Sequence, residues 1–179
     1  MIEVEAKIKI PAPEKFRKLA RGIGRLIEEE KKIDDYYTLS PKGKYPKKSL
    51  RVRKKNAHYE INFKQKLSYI KGIHAKDERE FQVTDINNFI KLIEDFGFRK
   101  WLTKIKDSEV YEIKKNFHLE INHVKNLGWF IEIEFLATEK EIPKARKEIL
   151  QVIKKLGLSQ RQVIKDGYTK MLWDNGFGR

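Results

Sequence analysis

Charged and apolar residues alternate with period two through most of this chain, and that pattern constrains the fold more than any single motif. In the opening run, Glu3, Glu5 and Lys7 alternate with Val4, Ala6 and Ile8. Side chains of a β-strand point to opposite faces in turn, so a strand here has one charged face and one apolar face. Taken alone, such a strand is ordinarily half-exposed, with its charges in water. The pattern recurs, however, in Arg51 and Arg53 beside Leu50 and Val52, and in Glu60, Asn62 and Lys64 beside Ile61 and Phe63. It continues in Glu78 and Glu80, in Lys104 and Lys106, in Glu120 and Asn122, and in Glu132 and Glu134.

Segments with helical spacing separate these runs. After Pro11 and Pro13, residues Phe16, Leu19, Ala20, Ile23, Leu26 and Ile27 describe an amphipathic helix. Asp85 is placed to cap a helix through Phe89, Leu92, Ile93 and Phe96 that stops at Gly97. A third helix runs from near Pro143 to Gly157, and Ser159 can cap a short fourth ending near Leu172, with DNGFGR as a frayed tail. Strand candidates are residues 31–39, 49–55, 58–66, 76–83, 100–106, 108–115, 117–124 and 129–136. A basic loop fills 40–49, and KNLG turns at 125–128. Short connections favour antiparallel pairing, an α+β class, and a strand number that can close into a barrel. One domain over residues 1–174, followed by the tail at 175–179, is expected.

Composition narrows the function classes. The 179 residues include no cysteine, which excludes disulfides, a thiol nucleophile and thiolate metal sites. No apolar run is long enough to span a bilayer, and charge interrupts the N-terminus from Glu3 onward. A cytoplasmic protein with no membrane partner is therefore expected. The formal net charge of +14 calls for an anionic partner. Its Lys and Arg residues are spread through the periodic segments, without a nucleic-acid-binding signature, so nucleic acid is not the expected partner. His58, His74, His118 and His123 lack zinc-ligand spacing. Lys42, Lys44, Lys47 and Lys48 read as a solvated loop, with a flap that attracts anions as the functional alternative.

If the helices cover the apolar faces from outside, the charged faces line the inside of the barrel. Burying so many charges is costly unless they compensate one another or bind something. Carboxylates paired at i, i+2 suit hard divalent cations such as Mg²⁺ or Mn²⁺. Arg and Lys suit phosphate oxygens, Arg with two contacts at once. A metal-bound polyphosphate satisfies both sets.

These residues are also where the sequence resembles a known family. EVEAK, carrying Glu3, Glu5 and Lys7, is similar to the ExExK signature of the CYTH superfamily, the triphosphate tunnel metalloenzymes, which include class IV adenylyl cyclases and thiamine triphosphatases. IDDYY at 33–37, with Asp34 and Tyr36, resembles the family's second-strand segment. LRVR is similar to its LRxR and is followed by Lys64 in INFK. REF at 79–81 resembles the segment that supplies Glu80, and KIK at 104–106 takes the place of a basic pair. LGWFIEIE at 127–134 is close to LG-x-F-x-E-x-E, and GYTKML resembles the closing helix, preceded by Lys165. The chain departs from the pattern at Asn122, where an acid is usual, and at Lys106, where Arg is frequent.

The resemblance implies a closed eight-stranded antiparallel tunnel with a charged interior. It implies that Glu3, Glu5, Glu80, Asn122, Glu132 and Glu134 hold one or two Mg²⁺ or Mn²⁺ ions. Arg51, Arg53, Lys64, Lys104, Lys106 and Lys165 would bind a nucleoside or inorganic triphosphate, with Lys7, Lys64 and Tyr36 as catalytic candidates. The first expectation is an adenylyl cyclase-like conversion of ATP to cyclic AMP and pyrophosphate. The alternatives are an inorganic or thiamine triphosphatase, and a non-catalytic polyphosphate or nucleic-acid binder. A homodimer is compatible with each.

Overall fold

The structure, a computed structural model, describes residues 1–55, 58–70 and 72–179. In chain order the elements are β1 (Ile2–Ile10), α1 (Glu14–Arg21), β2 (Arg25–Thr38), β3 (Leu50–Lys55), β4 (His58–Ile70) and β5 (Ile73–Val83). There follow α2 (Ile86–Asp95), β6 (Arg99–Lys114), β7 (Phe117–Val124), β8 (Gly128–Ala137), α3 (Ile142–Lys155) and α4 (Tyr168–Asp174). The strands hydrogen-bond in the order β1-β5-β4-β3-β2-β6-β7-β8 and close into an antiparallel barrel. The expected α+β class and eight-stranded closure are both present. No helix among the described residues is long and apolar enough to cross a membrane.

The chain packs as two compact units. One comprises Met1–Lys31, Lys64–Glu78 and Lys106–Lys165; the other comprises Lys32–Phe63, Arg79–Ile105 and Asp166–Arg179. In the first, Val4, Ala6 and Ile8 of β1 pack with Leu119, Ile121, Ile131 and Ile133 of β7 and β8. Ala145, Ile149, Val152 and Ile153 of α3 and Phe16 and Ala20 of α1 complete that core. Full burial of an aliphatic side chain stabilises by about 1.5–3 kcal/mol, which is what fixes the apolar parity of these strands against the helices. The second unit has a smaller core of Tyr37, Val52, Ile61 and Ile93, edged by Leu50, Phe89 and Phe98.

Local signals hold where they were chemically specific. The Asn88 N–H donates to the Asp85 carboxylate at 3.0 Å, capping α2, and Gly97 ends it with φ of 87°. Pro143 opens α3, behind a Thr138–Glu141 capping box. Four expectations fail. Leu26 and Ile27 belong to β2, not to the first helix, and both are exposed. The helix stops at Gly22, and the backbone at Gly24 approaches the Glu112 carbonyl so closely that a Cβ there would lie 2.7 Å from its oxygen. Residues 99–114 form one strand rather than two, because Asp107 and Ser108 keep the alternation across the expected break. Ser159 caps only the turn Gln160–Gln162, and α4 starts separately at Tyr168. The tail does not fray: Phe177 N–H donates to the Leu172 carbonyl at 3.0 Å, and Gly178 lies against Trp101.

Gly24→Ala should therefore destabilise the fold by about 1–3 kcal/mol through overpacking. Chemical denaturation measures this, and an unchanged midpoint would contradict the close approach.

Candidate active site

Each unit contains a cluster of charged side chains, and they differ in composition. The first is acid-rich. The β1–β8 register sets Glu5 opposite Glu134 and Lys7 opposite Glu132, while β7–β8 sets Glu120 opposite Glu132. These positions have the opposite parity to the apolar core, so one face of the sheet gathers the carboxylates. Glu3, Glu5, Lys7 and Lys106 are all buried. Lys64 donates to Glu3, and Lys76 to Glu5. Lys106 reaches Glu120 at 2.7 Å and Glu132 at 3.2 Å, and Lys7 lies 3.8 Å from Glu132. Asn122 donates to both of those acids, at 3.1 and 2.8 Å.

The two β8 acids are pushed in opposite directions. Burial raises the pKa of Glu134, and the Glu3 carboxylate adds to this, so its proton is held well above the ordinary range. Burial also acts on Glu132, but Lys106 and then Lys7 outweigh it and hold that carboxyl below its ordinary value. The cluster thus has one carboxyl stabilised as an anion and a neighbour that resists ionising.

Oxygen donors of this kind suit a hard divalent cation. Glu3 Oε1 and Asn122 Oδ1 are buried with no hydrogen-bond partner among the described residues, Glu3 Oε1 having an ion-pair contact with Lys76 at 3.9 Å, so part of the donor set is weakly committed. Among those residues, however, no three acid or histidine side chains form a ready-made chelate. Ammonium groups occupy the carboxylates instead.

The second cluster is base-rich. Asp34 and Arg53 are cross-strand neighbours, and the guanidinium donates to both Asp34 oxygens, at 2.6 and 3.0 Å. Lys104 adds a contact at 2.9 Å to the fully buried Asp34. Burial raises the Asp34 pKa, but Lys104 and Arg53 more than offset it and hold the carboxyl well below its usual range. Arg51 lies 3.7 Å from Glu80, which also accepts from Asn62 at 3.3 Å. The Lys104 ammonium sits over the rings of Tyr36 at 5.7 Å and Tyr168 at 5.4 Å.

The expected site residues are therefore distributed as follows. Glu3, Glu5, Lys7, Lys64, Lys106, Asn122, Glu132 and Glu134 meet in the acid-rich unit. Arg51, Arg53, Lys104 and Tyr36 belong to the base-rich unit, and so does Glu80, which lies beside Arg51. Lys165 is exposed, with its ammonium over the Tyr69 ring at 5.8 Å. Three participants lay outside the expected set: Lys76, Glu120 and Asp34. Each shares strand parity with a residue that was selected (Lys76 with Glu80, Glu120 with Asn122, Asp34 with Tyr36), so parity alone could have found them.

Solved structures match nearly the whole chain. A protein from Pyrococcus horikoshii is 26% identical with a TM-score of 0.79, covering 94% of this chain and 98% of its own. A Vibrio parahaemolyticus protein provisionally named an adenylate cyclase is 16% identical with a TM-score of 0.79, covering 97% of this chain and 98% of its own. A Hippeastrum protein, provisionally named an adenylyl cyclase and described as having a dominant triphosphatase activity, is 16% identical with a TM-score of 0.62. That match covers 98% of this chain and 96% of its own. The last two likenesses establish the barrel fold. No protein of curated function matches the sequence. The CYTH domain model matches residues 1–168. The chain belongs to the CYTH family, whose members are divalent-metal-dependent enzymes that process triphosphates.

The opposed shifts of Glu134 and Asp34 give opposite pH dependences. The raised carboxyl of Glu134 contributes stability that is lost as pH rises above the ordinary glutamate range. Metal-free Glu134→Gln should then melt higher than the parent near neutral pH, with the difference shrinking toward pH 4. Asp34 contributes stability present above the ordinary aspartate range and lost only in strong acid. Asp34→Asn should cost about 3 kcal/mol at neutral pH, because Arg53 and Lys104 lose their buried counter-ion. Calorimetric melts across pH measure both.

Proposed function

We propose that this chain is a divalent-metal-dependent enzyme acting on a triphosphate. The observation that carries the reading is a buried acid-rich cluster with oxygen atoms left without hydrogen-bond partners among the described residues, in a chain that also gathers a base-rich cluster. The acid-rich cluster offers oxygen donors for a hard cation, and the base-rich cluster offers two guanidinium groups and an ammonium to phosphate oxygens.

Phosphoryl transfer requires little covalent participation by the protein; positioning and charge stabilisation supply most of the rate. In this reading Glu3, Glu5, Glu132 and Glu134 hold the cation, with Asn122 as a neutral oxygen donor. When bound, the cation neutralises charge on the phosphate oxygens. With those acids committed to a cation, Lys64, Lys76 and Lys106, which now pair with Glu3, Glu5 and Glu132, would be available to phosphate oxygens. Arg53 is already oriented by two hydrogen bonds from Asp34, so less freedom is lost when it engages an anion. Lys7, beside Glu132, neutralises phosphate without ligating metal while it is protonated. We further propose that these residues lie on the inner face of the barrel.

Adenylyl cyclisation and triphosphate hydrolysis are the two chemical outcomes this machinery allows, and they differ in which phosphorus is attacked. Product analysis separates them. ATP, inorganic triphosphate and thiamine triphosphate are each incubated with Mg²⁺, Mn²⁺ or chelator. Cyclic AMP with pyrophosphate identifies a cyclase, and inorganic phosphate a triphosphatase. Absence of metal-dependent product from all three substrates overturns the enzymatic reading and leaves a polyphosphate binder.

Glu132→Gln should lower turnover about a hundredfold, as expected when one charge-stabilising group is removed, while leaving the protein folded. Lys7→Ala should instead raise KM more than it lowers kcat. Steady-state kinetics at saturating and limiting metal distinguish the two, and identical defects would argue for a purely structural strand.

A further inference from the structure

In the middle of the basic loop at residues 40–49, next to the buried Pro46, one side chain ties the loop to an aromatic cluster. Tyr45 exchanges a hydrogen bond with the Thr169 hydroxyl at 3.0 Å, and its ring meets Trp101 and Trp173 edge-on at 5.8 and 5.9 Å. Trp101 and Trp173 in turn contact each other at 6.0 Å. At the loop's margins, Thr38 donates to the Lys48 carbonyl at 2.8 Å, Arg99 to the Ser40 carbonyl at 3.0 Å, and Trp101 Nε1 to Ser49 Oγ at 3.1 Å. Between these anchors, Lys42, Lys44, Lys47 and Lys48 are all exposed, and the segment contains no acid. Four like charges on one short loop repel one another, and between the marginal anchors the aromatic contact at Tyr45 opposes their separation.

The same ring cluster reaches the base-rich cluster. Trp101 is in edge contact with Tyr36 at 6.2 Å, and Tyr36 lies under the Lys104 ammonium. Arg51 and Arg53 follow the loop directly in sequence.

We propose that Tyr45 is a positioning residue: an aromatic clasp that holds residues 40–49 as a lysine-bearing flap, which closes further when a polyphosphate engages Arg51, Arg53 and Lys104. The flap is held by few buried contacts and is drawn from the low-stability end of the structure. An anion that supplies counter-charge to its lysines shifts it toward the closed state, because only that state brings the two charge types together. The ring contributes most of the clasp, and the hydroxyl adds one exposed hydrogen bond.

Limited trypsin digestion reads the flap directly, since the enzyme cleaves after Lys42, Lys44, Lys47 and Lys48. Cleavage sites are assigned by mass spectrometry on the intact chain, with and without inorganic triphosphate and without metal. Tyr45→Ala should be cut within 40–49 about tenfold faster than the parent, at an unchanged rate elsewhere, from the loss of two ring contacts. Tyr45→Phe should stay close to the parent. Inorganic triphosphate should slow cleavage of the parent but protect Tyr45→Ala much less. In kinetics, Tyr45→Ala should raise KM several-fold with kcat little changed. Equal cleavage of Tyr45→Ala and parent overturns the clasp. The second half of the proposal rests on the triphosphate reading. Turnover of triphosphate without protection of the loop overturns the flap alone, whereas neither turnover nor protection overturns both.

Discussion

Ion pairs between Lys64 and Glu3, Lys76 and Glu5, and Lys106 and Glu132 carry the cost of an arrangement that leaves β1 buried on both faces. The effective penalty for removing one ion from water is several kcal/mol. A sheet face bearing so many carboxylates would not survive with those groups unpaired. The apolar face cannot release the charged one, because Val4, Ala6 and Ile8 are committed to the core with α3 and the strands alternate strictly. Folding therefore forces acids and bases together, and Asn122 joins them by hydrogen-bonding two acids at once.

Such a network is stable only in the sense that no member has a better partner. Replacing buried ion pairs by apolar residues is often neutral or stabilising, so their presence here points to use rather than strength. Glu134 shows this most directly. Its carboxyl lies opposite Glu5 and near Glu3, and like charges placed so are unfavourable until something positive intervenes. Asp34 is the converse, a buried acid fully committed to Arg53 and Lys104, which sets those two cations in place.

Much of this was legible in the sequence, for a physical reason. Period-two alternation is dictated by strand geometry, so the runs around Glu3, Arg51, Glu120 and Glu132 declared both their structure and their faces. Asp85 and Gly97 declared α2 by cap chemistry. Legibility ended where long-range packing decides. Leu26 and Ile27 matched a helical period only because β2 begins beside a helix that ends at Gly22. The pairing of Lys76 with Glu5 depends on strand register, which parity restricts but does not choose. Glu80 illustrates the same limit: its parity matched the other acids, yet its neighbour is Arg51.

The central claim is that a divalent cation takes the place of ammonium groups and protons among the carboxylates of Glu3, Glu5, Glu132 and Glu134. Calorimetric titration of Mn²⁺ into the metal-free protein, in two buffers of different ionisation enthalpy, tests it most directly. We expect saturable binding with net proton release near neutral pH, and release that disappears in Glu134→Gln. Binding without proton release, or binding unchanged in Glu5→Gln and Glu132→Gln, would contradict it.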